Sequence, residues 1–409
     1  MNMPLSTRAR SQRGRSALMI LALILVALNL RLAITSAAAL LTLLTQAGAL
    51  SPATVVLIPA IPTAVFAIAG VSTARIAARW GAERTVAVGM AMLVAGLIIR
   101  AIPLPAVVVL GTVIATGGLA VVNILLPAVV RAHFGRNISA ITTVYSTSMS
   151  LGAATAAATA VPIAQAIGSP SLGLAAWALP ALAGLAVWVL VMPLARPKTV
   201  RETPLDSGNA PGAAEAPKTQ PLPAGTWLLA GFFSIQSLLS YVIMGWLPSI
   251  ATGAGLTAER AGLLLGIAMA VGVPATVLIV PLTRGPHRMR AGFALVGAAS
   301  ITGVLGFLIA PAAIPEVWAA FLGLGMCAFP LALALIASLG SNAAEAARVS
   351  TTVQSIGYTV ATLGPLGAGA MHQATGTWTP VLVLLLVGAT AQVAVGVVLT
   401  GVVWRQRSA

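Results

Sequence analysis

Long apolar runs constrain this chain more strongly than any other feature of its sequence. The first extends from Ala17 to about Leu44. At about 1.5 Å per residue it exceeds the roughly 20 residues that a helix needs to cross the hydrocarbon core of a bilayer. Because lipid offers no hydrogen-bond partner to backbone groups, such a run must cross the membrane as a helix. With 59% hydrophobic and 7% charged residues overall, the chain is predicted to be an integral membrane protein.

Eleven further apolar runs of similar length follow the first. They indicate membrane helices, because an outer-membrane barrel would instead show segments of about ten residues with alternating polarity. The sequence therefore predicts an all-α membrane protein with twelve transmembrane helices, numbered here as spans 1 to 12. After span 1, the predicted spans are 52–74, 85–102, 105–130, 138–167, 172–194, 226–250, 258–282, 290–311, 315–339, 346–371 and 378–403.

The distribution of basic residues predicts the orientation of the chain. If the N-terminus is cytoplasmic, all of the 22 Lys and Arg residues except Arg31, Arg100 and Arg260 fall on the cytoplasmic side. Because this bias orients membrane proteins, we expect both termini to be cytoplasmic in a multi-pass protein of the cell membrane. The net charge of +15 then reflects topology rather than nucleic-acid binding, since the basic residues are scattered singly and form no patch.

Segment 195–225 is the clearest change of composition in the chain, with several prolines, small residues and charged residues. It predicts a flexible cytoplasmic linker between two membrane domains. Residues 1–194 form the N-terminal six-helix half in this prediction, and residues 226–409 form the C-terminal six-helix half.

The two halves resemble each other in sequence. Gly152 in span 5 has a counterpart in Gly357 of span 11, 205 positions later, and Ser51 before span 2 has a counterpart in Thr257, 206 positions later. Two halves with equal numbers of spans and the same orientation constitute a parallel repeat. Transporters use such repeats to rock around a binding site near the middle of the membrane.

Arg31 interrupts the apolar run of span 1 near its middle. A charged side chain at that depth costs about 2.5 to 3.5 kcal/mol on insertion scales, and it usually faces a cavity or a partner. All seven acidic residues fall in or beside predicted loops, so no carboxylate is available within the membrane. We therefore expect Arg31 to bind an anionic or strongly dipolar solute. The alternative is a structural arginine that caps the carbonyls of a broken helix.

Six further polar residues within the spans are candidate substrate-binding residues. Thr35 lies one helical turn after Arg31 on the same face, and Gln354 and Tyr358 form an i, i+4 pair in span 11. The other three, in spans 5 and 7, are Tyr145, Gln236 and Tyr241. The alternative role for such side chains is to hold membrane helices together.

Asn29 and Arg100 are expected to have structural roles. Asn29 is two residues from Arg31 and therefore about 200° around the helix, so we expect it to bond a neighbouring helix. Arg100 lies near the outer end of span 3, from which its long side chain can extend to the membrane surface.

Several short motifs are spread over nearly the whole chain. They are Asn29-Leu30-Arg31 with Thr35-Ser36, Ile99-Arg100, Pro127-Ala128-Val129-Val130-Arg131, Trp246-Leu247-Pro248, Ala328-Phe329-Pro330-Leu331 and Gln354-Ser355-Ile356-Gly357-Tyr358. Together they resemble the cyanate and nitroimidazole transporter family of the major facilitator superfamily. The resemblance implies that fold and a transport activity. Leu32 departs from the family pattern, which usually has proline after the arginine, and segment 75–81 lacks the superfamily's usual aspartate.

The sequence contains no Gly-rich phosphate loop with lysine, no paired carboxylates and no Cys/His ligand set. We therefore predict a secondary transporter, not an enzyme, that needs no cofactor or metal. It is expected to move a small anionic or polar solute, such as a cyanate-like or carboxylate compound, by alternating access. Its partners are expected to be this solute and the lipid bilayer, without nucleic acid, and the protein is expected to be a monomer. The alternatives are a multidrug-type efflux permease of the same superfamily and a non-transporting membrane receptor or assembly subunit.

Overall fold

The computed structural model describes residues 5–134, 137–193, 222–279, 286–339 and 343–408. Within these ranges the protein consists of helices and the short segments that join them. The helices are α1 Leu5–Gln46, α2 Pro52–Leu57, α3 Ile61–Trp80, α4 Ala82–Ile99, α5 Pro105–Phe134, α6 Ile138–Ile167, α7 Pro170–Ala175, α8 Ala178–Val191, α9 Thr226–Gly253, α10 Ala258–Ile279, α11 Pro286–Ile309, α12 Pro315–Gly325, α13 Ala328–Leu339, α14 Ala343–Thr375 and α15 Thr379–Ser408.

These helices form the twelve predicted spans, but three of the spans are broken. Span 2 comprises α2 and α3, span 6 comprises α7 and α8, and span 10 comprises α12 and α13. In each case a proline lies within the first three residues of the second helix, at Pro62, Pro180 and Pro330. Proline lacks an amide hydrogen and crowds the preceding turn, so it favours a helix start over a helix interior. Each of these three predicted spans is therefore built from two helices.

Among the described residues, ten helical segments are long and apolar enough to cross a membrane. The two other spans contain α3 and α14, which carry charged residues near one end. These residues are Arg75 and Arg79 in α3, and Glu345 and Arg348 in α14.

Packing between helices repeats in the two halves. Helix α1 of span 1 packs on α6 of span 5, and α9 of span 7 packs on α14 of span 11 in the same way. The pairs α4 with α5 and α11 with α12 are also equivalent. The halves meet where α6 packs on α10 and where span 2 packs on α14. The fold is therefore an all-α membrane bundle of two parallel six-helix repeats.

The predicted linker at 195–225 lies outside the described residues as far as residue 221. Helix α8 ends at Val191 and α9 begins at Thr226, so the predicted boundaries of the halves stay a prediction.

The repeat-related glycines Gly152 and Gly357 lie at close helix contacts in their halves. A Cβ added at Gly152 of α6 would lie 1.9 Å from the Leu28 carbonyl oxygen of α1. A Cβ added at Gly357 of α14 would lie 2.1 Å from a ring carbon of Phe233 in α9. Glycine is thus required for spans 5 and 11 to approach spans 1 and 7 this closely.

We expect Gly152→Ala to destabilise the protein, because the added methyl group overlaps backbone that cannot rotate away. Overpacking of this kind typically costs about 1 to 3 kcal/mol. Thermal unfolding of the purified protein in detergent is the measurement. Gly231→Ala is the matched control, since a Cβ at Gly231 of α9 meets nothing within 4 Å. Equal unfolding midpoints for the two variants would contradict the packing assigned to Gly152.

The two halves are joined by hydrogen bonds at one end of the bundle, called here the sealed end. These bonds are Thr42 with Thr252 at 3.3 Å, Gln165 with Glu259, and Gln373 with the carbonyl of Pro52. Close backbone packing accompanies them, because a Cβ added at Gly262 of α10 would lie 2.7 Å from the Ala157 carbonyl oxygen of α6. The described residues therefore close the interface between the halves at this end.

Candidate functional site

A cavity of about 580 Å³ lies between the two halves. Its wall is formed by spans 1, 2, 4 and 5 of the N-terminal half and spans 7, 8, 10 and 11 of the C-terminal half. It extends away from the sealed end, since Tyr145 on its wall lies near the start of α6 whereas Gln165 lies near the finish of that helix. The cavity thus reaches from the middle of the bundle toward the end where α1 begins.

Arg31 of α1 lies half-buried on the cavity wall. In the described part of the chain, its guanidinium has no hydrogen-bond or ion-pair partner, and ion pairs such as Glu83 with His133 and Arg260 with Glu316 do not involve it. An arginine offers five N–H donors in a planar fork and stays charged at any physiological pH. The cavity therefore contains a cation whose donors are available to a ligand.

All three tyrosines of the chain, Tyr145, Tyr241 and Tyr358, lie on the same wall as Arg31. The rings of Tyr241 and Tyr358 meet edge to face with centroids 6.5 Å apart, across the contact between α9 and α14. The arginine of one half thus shares the cavity wall with two tyrosines of the other half.

The acidic residues lie away from this cavity. Four of them lie in the first turn of a helix: Glu83 in α4, Glu259 in α10, Glu316 in α12 and Glu345 in α14. A carboxylate is stabilised there by the helix dipole. The other three, Glu202, Asp206 and Glu215, lie outside the described residues. None of the four described acids is on the cavity wall.

Two predicted site residues, Thr35 and Gln236, do not lie on the cavity wall. The Thr35 hydroxyl donates to the Arg31 carbonyl at 3.2 Å, and the side chain is fully buried. Gln236 donates to the Ser240 hydroxyl at 2.8 Å and to the Met326 carbonyl at 3.3 Å. Met326 occupies the break in span 10, where its carbonyl is available to a side chain, so Gln236 stabilises a broken helix.

Gln354 lies on the cavity wall, and its amide donates to the Ser350 hydroxyl at 2.6 Å. Other polar residues on the wall were not among the predicted site residues, and they include Asn123 of α5 and Ser237 of α9. Asn123 interrupts the apolar run of span 4. A polar interruption of the same kind singled out Arg31 in span 1. A serine such as Ser237 carries no comparable signal, because serine is common at helix contacts in membranes.

Asn29 contacts a neighbouring helix, as its position opposite Arg31 predicts. Its amide donates to the Leu25 carbonyl at 2.8 Å and to the Pro180 carbonyl of α8 at 3.1 Å.

The prediction that Arg100 extends to the membrane surface was wrong. Arg100 is 0% exposed, and its Nη1 donates to the Ala33 carbonyl of α1 at 3.0 Å.

Comparison with known proteins gives matches over nearly the whole chain. The family model of the Major Facilitator Superfamily matches residues 19–366. The chain is 31% identical to the 2-nitroimidazole transporter of Escherichia coli (strain K12), with 91% of this chain and 93% of that protein covered. It is 25% identical to the cyanate transport protein CynX of the same organism, with 88% and 91% covered.

Solved structures give the same fold at low sequence identity. A point mutant of the nucleoside transporter NupG matches with a TM-score of 0.71 and 13% identity, covering 93% of this chain and 99% of that chain. A bacterial homologue of the human lysosomal transporter Spinster, in an inward-facing and unoccupied conformation, matches with a TM-score of 0.72 and 14% identity, covering 96% and 98%.

Proposed function

We propose, from the premise that this chain belongs to the Major Facilitator Superfamily, that it carries a small anionic or strongly dipolar solute by alternating access. The family makes the chain a multi-pass membrane transporter of small molecules and not an enzyme. The proposal concerns the chemical class of the solute, the side to which the cavity opens and the residues that bind.

The observation that carries the proposal is the unpaired guanidinium of Arg31 in a cavity whose wall contains no described acid. A cation in a membrane protein is stable when a counter-charge is near. Here a solute supplies that charge. The planar fork of arginine favours a carboxylate, cyanate-like or nitro group, which can accept two N–H bonds at once.

The rest of the wall supports a small solute with both polar and polarisable atoms. The hydroxyls of Tyr241 and Tyr358 add donors to the wall that contains Arg31, and Gln354 adds an amide. Thioether groups complete the wall at Met149, Met244, Met269 and Met326, and methionine adapts to ligands of varied shape. The names of the relatives, a cyanate transport protein and a 2-nitroimidazole transporter, are consistent with this chemistry.

The cavity opens to the cytoplasm in this proposal. It extends toward the end where α1 begins, and the bias of Lys and Arg places that end inside the cell. The sealed end then faces outward, and this conformation would release or accept the solute on the cytoplasmic side. We further propose that the chain acts as a monomer in the plasma membrane, since one chain supplies both walls of the cavity.

Counterflow in proteoliposomes tests the proposal. Vesicles loaded with unlabelled cyanate should accumulate labelled cyanate transiently, and acetate, nitrite or 2-nitroimidazole should compete while organic cations should not. The absence of counterflow with every member of this panel would refute the proposed class of solute. Competition by bulky apolar cations, equal in wild type and Arg31→Gln, would instead support a multidrug-type permease.

We expect no protein carboxylate to be indispensable for coupling, because the described acids lie at helix starts, outside the cavity. Glu316 pairs with Arg260 at 2.7 Å and Glu259 bonds Gln165, both at exposed positions. Coupling is then carried by the solute, as the protonated acid or in exchange for another anion. Single replacement of Glu259, Glu316 or Glu345 by glutamine should preserve accumulation driven by an imposed pH gradient. Complete loss of that accumulation in one variant, with counterflow intact, would show that a carboxylate carries the proton.

A further inference from the structure

A second, much smaller space lies on the sealed side of the central cavity. Its volume of about 10 Å³ corresponds to roughly one water molecule. Its wall combines α1 and α5 with span 2 of the N-terminal half and Gly245 of α9 in the C-terminal half, and it includes Arg100. This space is called here the Arg100 pocket.

Arg100 is a buried cation with incomplete hydrogen bonding. Its Nη1 donates to the Ala33 carbonyl at 3.0 Å, whereas its Nε and Nη2 have no partner among the residues that the structure describes. A buried charge is costly unless it is paired and hydrogen-bonded. The two free nitrogens form one edge of the guanidinium, and Arg260 uses the same edge to hold the Glu316 carboxylate at 2.7 and 3.1 Å. Arg100 thus presents the edge that suits a small oxyanion or a cyanate-like anion.

The Arg100 pocket lies at the contact between the halves. A Cβ added at Gly245 of α9 would lie 2.6 Å from the Cβ of Pro59, which follows α2. Both residues belong to the pocket wall. Because these elements belong to different halves, any rocking that opens the sealed end separates them and enlarges the pocket.

Ile34 separates the Arg100 pocket from the central cavity. Its side chain lies on the wall of both spaces, three residues after Arg31 on α1. Two arginines, Arg31 and Arg100, therefore lie on the two sides of one apolar side chain. An anion that crosses the protein from the sealed side would meet Arg100 before it passes Ile34 and reaches Arg31.

We propose that Arg100 forms a second anion-binding site, which opens to the sealed side when the halves rock and receives a small monovalent anion there. This inference rests on the proposed function only in requiring that motion. The Arg100 site recognises the negative charge of its ligand and donates hydrogen bonds to it from the free Nε and Nη2. The apolar Ile34 then controls passage between the two sites.

A reporter cysteine at Thr112 tests the proposal, since Thr112 is on the pocket wall and 1% exposed. Thr112→Cys is built in a Cys327→Ser background, which removes the single native cysteine. Anionic sulfonatoethyl and cationic trimethylammonioethyl methanethiosulfonate are applied to membranes from the side opposite the N-terminus. We expect both to react, with the anionic reagent favoured. Arg100→Gln, which can still donate to Ala33, should lower the ratio of anionic to cationic rates by about tenfold, as expected for removal of one nearby charge.

Thiocyanate then distinguishes a binding site from a general electrostatic field. It should slow labelling when Arg100 is present and have no effect in Arg100→Gln. Arg260→Gln is the matched control, since this exposed arginine near the sealed end is not on the pocket wall and should leave the ratio unchanged. If Arg100→Gln does not fold, Arg100→Met removes the charge at similar volume.

Lack of labelling from that side, or an unchanged ratio in the Arg100 variants, would overturn the proposal. Labelling insensitive to thiocyanate would overturn it as well. The experiment needs no transported solute, so a failure of cyanate counterflow would leave this test unaffected. Conversely, a failure here would leave the assignment of Arg31 intact.

Discussion

Replacing Arg31 by glutamine is expected to abolish saturable binding and transport. The substitution removes the charge and most donors of the guanidinium while keeping a polar side chain in the cavity. Loss of one partner from a buried, charge-assisted contact typically costs about 2 to 5 kcal/mol, which corresponds to at least about a thirtyfold loss of affinity. Counterflow of labelled cyanate and equilibrium binding to the purified protein measure the effect.

Arg31→Lys tests whether the positive charge alone binds the solute or whether the planar guanidinium is also needed. Lysine keeps the positive charge but presents it as a point, without the planar fork, so we expect partial binding and slow transport. Arg260→Gln, at an exposed ion pair near the sealed end, is the control for loss of an arginine elsewhere. If Arg31→Gln is produced normally and retains wild-type affinity and transport, Arg31 is not the anchor of the solute.

A second large effect is expected from Gly262→Leu, which should prevent the sealed end from closing. A Cβ at this position of α10 would lie 2.7 Å from the Ala157 carbonyl oxygen of α6, so a leucine cannot be accommodated while the two halves remain in contact. Transport should fall to background because the cycle cannot complete. Binding should persist, because Gly262 is not on the wall of the central cavity and the substitution leaves that cavity accessible from the sealed side.

The accessibility of the sealed side provides the readout for this variant. Labelling of Thr112→Cys from that side should be faster with Gly262→Leu than without it. Gly231→Leu is the matched control, because a Cβ there meets nothing within 4 Å, and it should change neither transport nor labelling. Wild-type transport by Gly262→Leu would mean that the contact between α6 and α10 is not part of the cycle.

The number and order of the spans could be predicted from the sequence, because continuous apolar runs of membrane length have few structural alternatives. The breaks in spans 2, 6 and 10 could not. Proline by itself does not identify them, since five other prolines lie inside unbroken helices among the described residues: Pro127, Pro162, Pro248, Pro274 and Pro365. Neighbouring helices decide whether the groups freed by a proline find partners, and those neighbours are known only from the fold.

The residues of the candidate site could be predicted from the sequence where their type is rare within membrane spans. Arg31 and the three tyrosines stand out within apolar runs, and the structure brings them to one cavity. Thr35 and Gln236 have nearer partners instead. A threonine hydroxyl can bond the carbonyl one turn back in its own helix, and Gln236 meets Met326 only because span 10 is broken at that point.

The burial of Arg100 also depends on tertiary contacts. Its place near the end of span 3 predicted an extended side chain, but α5 crosses there at close range. A Cβ added at Gly111 of α5 would lie 2.9 Å from the Arg100 Cγ. This approach, together with the bond to Ala33, keeps the guanidinium inside the bundle.

Direct localisation of a bound anion tests the central claim of an Arg31 site most directly. Selenocyanate is a small monovalent anion that contains an anomalous scatterer, and it would be diffused into crystals of the wild-type protein. The concentration would be one at which selenocyanate competes fully with cyanate in counterflow. The account predicts selenium density in the central cavity, with the anion within about 3 Å of the Arg31 guanidinium, as charge-assisted hydrogen bonds require, and near Tyr241 and Tyr358. Density away from Arg31, or a central cavity without selenium at that concentration, would contradict it.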